Sequence, residues 1–383
     1  MKQTEKNETT ENSFRLIRAF SFVSYFLVIY VLLPLTVIGG EPQSTDVFET
    51  GQDGYHTYRI PSLIVSPKGT LIAVCEGRKN GRGDSGDIDL VMKRSFDKGA
   101  TWSQLQPIDD DGENTTGNPT MLVDRRTGII WLLITRNPGN YKESEIVDGL
   151  SSGSRTVWVM KSGDDGATWS KPVEITQSVK KRDWTWYATG PGIGIQLKSG
   201  RLVIPCNHTE AGTKVSSSHV IYSDDHGATW KLGGSAGADT NESQVIERAN
   251  GTLLLNMRNQ KKSPQIYVRA IAVSNDRGMT WKELKHDPML LEPICQGSIL
   301  RVKDDLVLFS NPASLKREKL TVRLSNDGGR TWPVAKLLNP KPSAYSCLTV
   351  LPDGQIGILY ENGERDSYER ITFIRFSLEW LTE

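Results

Sequence analysis

Two stretches of the chain carry side chains suited to chemistry. T-Y-R-I-P-S-L, residues 57–63, sets one arginine, Arg59, among strand-forming residues with a proline two positions later. A guanidinium is costly to bury without an anionic partner, so Arg59 calls for an anion. G-R-G-D-S-G-D-I-D-L, residues 81–90, begins six residues after a strand expected over 71–75 and presents Asp84, Asp87 and Asp89. A carboxyl in a partly dry site can be tuned to act as general acid and base. A solvated Gly-rich loop is the competing reading of the same residues.

Composition limits what the anion can be. Among 383 residues, 46 are basic and 45 acidic, a formal charge of +1, so no global field favours nucleic acid or an anionic membrane. The anion for Arg59 is therefore expected to be small. A hydrophobic content of 37% lets a chain of this length bury a large core, and nothing in it marks a linker between globular domains. The N-terminus stands apart. A polar segment ending at Arg18 precedes an apolar run from Ala19 to Ile38, then Gly39-Gly40 and a polar start, so residues 1–40 read as an export signal. An uncleaved membrane anchor is the alternative, because the run approaches the ~20 residues that span a bilayer. Either way the remainder is expected to be exported: periplasmic, secreted or held at the cell surface. Cys75, Cys206, Cys295 and Cys347 are dispersed, without C-x-x-C, and are expected as buried free thiols. None of His56, His208, His219, His226 or His286 falls in a ligand-like spacing, so neither a metal nor an organic cofactor is expected. A monomer is expected.

The elements that must position these residues come from an internal repeat. S-x-D-x-G-x-T-W begins at Ser95, Ser162, Ser223, Ser274 and Ser325, at intervals of 67, 61, 51 and 51 residues. The Asp can accept backbone N–H groups across a turn, the Gly supplies a positive φ, and the Trp offers a large apolar body to a core. Each box follows a strand-like run and reads as a hairpin tip, so one interval holds about four short strands. Sheets of that size bury their faces only against neighbours around an axis, which predicts an all-β propeller of four-stranded antiparallel blades over residues 46–383. Between five and seven blades fit the length, and six is the number expected. The box aspartates recur in every unit and cannot converge on one site, so they are assigned to turns rather than to calcium.

R-I-P ahead of several such boxes resembles the exo-α-sialidases (neuraminidases) of the bacterial and animal type, whose fold is a six-bladed β-propeller. The resemblance covers essentially everything from residue 46 onward and implies a site. Arg59, Arg258 in L-N-M-R-N and Arg317 in N-P-A-S-L-K-R-E correspond to the three arginines that clamp the sialic acid carboxylate. Asp84, the first Asp of D-x-G-D, corresponds to the general acid/base, with Asp87 and Asp89 as competitors. Arg78, in C-E-G-R-K, sits where an arginine lies near the sugar's O4. Tyr345 in S-A-Y-S-C corresponds to the nucleophile, Glu242 in D-T-N-E-S to its base, and Glu361 in L-Y-E-N-G to the residue bracing the first arginine. Tyrosine replaces the usual carboxylate nucleophile in this family, and charge gives the reason: sialic acid carries its own carboxylate on the anomeric carbon, which a neutral phenol approaches without repulsion. Arg323 is assigned to the scaffold. The stretch from Asp183 through Gly192 is read as a rim loop whose Trp184, Trp186 and Tyr187 either face the sugar or pack in the core. Some members of that family carry lectin-like domains; no room for one is expected here, which leaves targeting to the propeller's loops or the N-terminal segment.

The expected activity is release of terminal sialic acid from glycans, glycoproteins or glycolipids. A propeller lectin that keeps only the clamp, and a structural propeller that keeps only the boxes, are the alternatives. The set Asp84, Glu242 and Tyr345 speaks against the first, and the arginine trio against the second.

Overall fold

The computed structural model describes residues 41–149, 153–261 and 266–383. The expected export signal or anchor over residues 1–40 lies outside them. No helix among the described residues is long and apolar enough to cross a membrane.

Strands dominate the described residues, which form one compact unit of antiparallel blades. Blade 1 comprises Thr57–Val65, Leu71–Arg78, Ile88–Ser95 and Gln106–Asp109. Blade 2 comprises Thr115–Val123, Ile130–Asn137, Thr156–Ser162 and Val173–Glu174. Blade 3 takes Trp184–Thr189, Leu202–Glu210, Ser216–Ser223 and Lys231–Ala238, and blade 4 takes Thr240–Glu247, Leu253–Asn259, Val268–Ser274 and Lys282–Leu291. Blade 5 begins with Ser298–Lys303, Leu306–Pro312 and Glu318–Ser325. The long strand Val334–Val350 then completes blade 5 with its first half and opens blade 6 with its second. Blade 6 continues with Ile356–Asn362 and Arg370–Phe376 and is closed by the N-terminal strand Gln43–Glu49. These are the six blades expected, and the ring is shut by pairing the two ends of the propeller.

The burial of the strands follows their place in a blade. Leu71–Arg78 is buried along its whole length, as a strand sandwiched between sheets must be, whereas Lys282–Leu291 at a blade's outer edge is mostly exposed. The cores lie between blades: one joins Leu122, Leu133 and Val157 of blade 2 to Leu202, Ile204 and Ile221 of blade 3.

All five boxes connect the third and fourth strands of blades 1 to 5. In the first, Ser95 Oγ donates to Asp97 Oδ1 at 2.8 Å, and Asp97 accepts the Thr101 amide at 2.9 Å and the Thr101 hydroxyl at 2.6 Å. Those threonine bonds hold Asp97 down to about 2, and Thr168 does the same to Asp164. The carboxylates are spent on their own turns. The turn needs two successive positive φ angles, and Lys98 at 59° precedes Gly99 at 90°; only the glycine was legible from the sequence. Each box also fastens its blade to the preceding one. Trp102 packs edge-on against Phe373 of blade 6, Trp230 against Trp131 of blade 2, and Trp281 Nε1 donates to the Gly234 carbonyl of blade 3. Blade 6 has no box because its fourth strand is the N-terminal one, so no hairpin is needed there.

Candidate active site

The innermost strands start at one face of the propeller and run to the other. Arg59, near the start of Thr57–Val65, lines a cavity of about 270 Å³, while Val65 at its far end lines a larger one of about 1080 Å³. The larger cavity is walled mainly by aliphatic strand ends and gathers no catalytic cluster. The smaller one collects Arg59, Arg78, Asp84, Glu242, Arg258, Arg317 and Tyr345.

A bulge at the start of the strand aims Arg59. The pairing of Thr57–Val65 slips between Arg59 and Ser62, and Ile60 sits at φ 63° ahead of a proline that has no N–H to lose from the ladder. The Ile60 amide, freed from pairing, donates to Glu361 Oε1 at 2.8 Å. Glu361, wholly buried, also accepts Arg59 Nε at 3.0 Å, Arg59 Nη2 at 3.2 Å and the Tyr345 amide at 3.1 Å. It thus fixes the R-I-P bulge and the Tyr345 backbone together. The same slip recurs in other innermost strands, between Gly117 and Thr120, Thr240 and Ser243, and Ser343 and Ser346. The bulges end the regular ladder where side chains must turn toward the axis.

Tyr345 is buried, and its hydroxyl donates to Glu242 Oε1 at 2.6 Å. Arg258 Nη1 donates to Glu242 Oε2 at 2.8 Å and to the Tyr345 oxygen at 3.2 Å. Burial and then Glu242 raise the phenol well above its ordinary value, against the pull of Arg258, Arg317 and Arg59. The buried Arg258 Nε has no partner, so part of that fork remains open. Arg317 donates from Nη1 to the Tyr368 hydroxyl at 2.5 Å and from Nη2 to the Ile294 carbonyl at 3.4 Å. Tyr368 also lies under Arg59, its ring centroid 4.1 Å from the guanidinium carbon.

Asp84 lies 2.8 Å from Arg78 Nη2 and 3.6 Å from Arg59 Nη1. Desolvation raises its carboxyl, but Arg78 and Arg59 outweigh that and hold it below the ordinary carboxylate range. Its two competitors face elsewhere: Asp87 and Asp89 both pair with Lys79, and Asp89 also accepts the Tyr55 hydroxyl at 2.7 Å. Arg78, at the end of a strand that runs past residue 75 to that arginine, is gripped by Glu76 Oε2 at 2.6 Å. Arg323 lies outside this cavity, donating to Asn311 Oδ1 at 3.1 Å.

Within the stretch read as a rim loop, Trp184–Thr189 is instead the innermost strand of blade 3, because its aromatic residues favour a pleated, half-buried setting, and the glycines and proline only follow it. Trp186 faces the cavity, while Trp184 stacks on His208 at 3.4 Å and Tyr187 belongs to the core. Sequence reasoning also passed over Glu76, Asn118, Glu143, Arg155, Asn207, Asn241, Gln260 and Tyr368, all of which line the cavity. The proline after Asn118, in the same bulged position as that after Ile60, was the one available signal.

All four cysteines are buried and free. Among the described residues no three His, Cys, Asp or Glu side chains gather as a metal site would require.

A family model described as a BNR repeat-like domain matches residues 69–358. A sialidase of Bacteroides fragilis is 36% identical over 82% of this chain, which spans 62% of that relative's length. An exo-alpha-sialidase of Aspergillus fumigatus is 31% identical, with 88% of each chain covered. Among solved structures, a Hadza microbial sialidase, Hz136, superposes with a TM-score of 0.80 at 34% identity, covering 88% of this chain and 69% of that one.

Proposed function

The chain belongs to the sialidase family, and from that premise we propose that it is a retaining exo-α-sialidase that removes terminal sialic acid from glycans, glycoproteins or glycolipids. The observation that carries the reading is the 2.6 Å hydrogen bond from Tyr345 to Glu242 beside three arginines. A protein that only bound sialic acid would need the arginines but not a phenol poised on a base.

Arg59, Arg258 and Arg317 hold the substrate carboxylate, each fork giving charge-assisted hydrogen bonds that fix orientation. Arg78 holds the ring near O4. Tyr345 Oη then attacks the anomeric carbon as Glu242 takes its proton, and the bond to the leaving oxygen breaks as Asp84 protonates it. In the second half Asp84, now ionised, removes a proton from water, which attacks the anomeric carbon. The bond to Tyr345 breaks and Glu242 returns the proton to the phenol. Two displacements restore the original configuration. The Asp84 side chain is 59% exposed, so water has access to it for this step. Its low resting pKa is set by Arg78 and Arg59; a substrate carboxylate against Arg59 offsets part of that field and moves Asp84 toward the protonated form it needs as an acid.

The test is release of the fluorophore from an aryl α-sialoside, with the anomer of the first-formed sugar followed by NMR. Release with the α-anomer appearing first supports the proposal. No release refutes the activity, and the β-anomer first refutes the double displacement.

A further inference from the structure

The proposed mechanism leaves one wall of the cavity without a task. The clamp and nucleophile come from blades 1, 4, 5 and 6, and blades 2 and 3 face them across the axis. That facing wall carries Arg155, Trp186, Ala188 and Asn207. Arg155 is only 2% exposed. It donates from Nε to Asn137 Oδ1 at 2.9 Å, and from Nη1 to Asn118 Oδ1 at 2.7 Å and the Tyr187 carbonyl at 3.3 Å. Its guanidinium stacks on Trp186 at 4.0 Å. All its hydrogen-bond partners are neutral, unlike those of Arg59 and Arg258, which each grip a glutamate. Burial accordingly pushes it down to about 10, against the opposing pull of Glu76, Glu143 and Asp84, whereas Arg59 and Arg258 are raised.

A second observation points the same way. Asn207 pairs across the sheet with Ala188, is wholly buried, and neither its Oδ1 nor its Nδ2 has a hydrogen-bond partner. Leaving both ends of an amide unsatisfied costs free energy that a ligand would recover. A cationic donor and a free amide lining the same cavity match a group that both accepts and donates, and an apolar methyl serves neither.

In a nonulosonic acid ring, C4 and C5 form the edge opposite the anomeric carbon. With the carboxylate on the three arginines and O4 at Arg78, the C5 substituent falls to the facing wall. We propose that Arg155 and Asn207 read that substituent and favour sialosides whose C5 group ends in a hydroxyl, as a free 5-hydroxyl or a hydroxyacetamido group, over those ending in the acetamido methyl. This deepens the sialidase reading above and rests on it for the pose of the sugar.

The experiment compares three aryl α-glycosides that differ only at C5: acetamido, hydroxyacetamido and hydroxyl. In the unsubstituted enzyme kcat/KM for at least one hydroxyl-ended substrate should exceed that for the acetamido one by about tenfold, because the terminal methyl offers Asn207 neither the donor nor the acceptor that a hydroxyl supplies. Asn207→Leu and, in case that variant fails to fold, Asn207→Ala should collapse the ratio toward unity, and Arg155→Met should do the same. The ratio is internal to each sample, so loss of folded protein does not distort it. A preference for acetamido, or a ratio unmoved by these substitutions, overturns the proposal. Should no glycoside be hydrolysed, the activity reading fails by itself, and calorimetric affinities of the three free acids still report the same preference or its absence.

Discussion

Arg258→Lys tests the proposed clamp and the proposed nucleophile pair together, because one guanidinium would serve both. Nη1 binds Glu242 at 2.8 Å and the Tyr345 oxygen at 3.2 Å, while Nε is buried and open. Lysine keeps the positive charge but offers a single ammonium, which can stay with Glu242 or turn to the substrate carboxylate but cannot span both. One to two charge-assisted hydrogen bonds are lost, at about 1.5–3 kcal/mol each. Taking about 3 kcal/mol, kcat/KM should fall about a hundredfold. The loss should appear in both parameters, in KM through the carboxylate and in kcat through an untethered Glu242. Steady-state kinetics on an aryl α-sialoside give the split, and a thermal melt run beside them checks the fold. A variant with an unchanged melt and kcat/KM within about threefold of the unsubstituted enzyme would refute the assignment of Arg258 to the substrate.

Three further outcomes follow from the same geometry. A 3-fluoro sialosyl fluoride, whose ring fluorine slows breakdown of the intermediate, should label the enzyme with one sugar at Tyr345, and Tyr345→Phe should abolish labelling; a label mapped by mass spectrometry to Asp84 or Tyr360 would sink the tyrosine mechanism. Incubation with EDTA should leave turnover unchanged, since the box aspartates already bond to their own turns; loss of activity restored by calcium would overturn that. Burial holds His208 near about 3 and His219 well below its ordinary value, so below about pH 6.5 the unfolded chain binds protons that the folded one does not. Stability should therefore fall as pH drops from 6.5 toward 3, by about 1.4 kcal/mol per pH unit from His208 alone, and a urea midpoint with the same pH slope in a His208→Gln, His219→Gln double variant would refute this.

The blades were legible because each repeats the same local conflict, a turn that needs Ser, Asp, Gly and Thr at fixed offsets. The repeat even carries its own exception, since five boxes serve six blades once the N-terminal strand closes the last. Residues within one local motif could likewise be anticipated: Arg59 stands out beside a proline, and Asp84 beside glycines. What separates Asp84 from Asp87 and Asp89 was not local, because Lys79 draws the latter two away and the guanidiniums of Arg59 and Arg78 flank the former. Arg155 and Asn207 carried no signal at all. S-R-T-V-W reads as an arginine entering an ordinary strand, and C-N-H-T as the end of one. Their significance arises only when blades 2 and 3 bring them to one cavity and leave Arg155 with neutral hydrogen-bond partners and the Asn207 amide with none.

In the proposed mechanism the charges around the clamp suit an anion and a neutral nucleophile together. Six arginines and four carboxylates line the cavity. Within the clamp, Arg59 is matched by Glu361 and Arg258 by Glu242, while the hydrogen bonds of Arg317 go only to a phenol and a carbonyl. The trio and its two glutamates therefore present one uncompensated positive charge, the complement of one substrate carboxylate. An aspartate in place of Tyr345 would cancel that charge before the substrate arrived and would set a second anion beside Glu242, which the phenol now meets as a hydrogen-bond donor at 2.6 Å. Buried like charges at such range are strongly unfavourable, so either carboxyl would have to take up a proton and lose its function. Under the proposed mechanism a phenol avoids both penalties, because its negative charge would develop only as the anomeric carbon approaches, and three guanidiniums already stand around it.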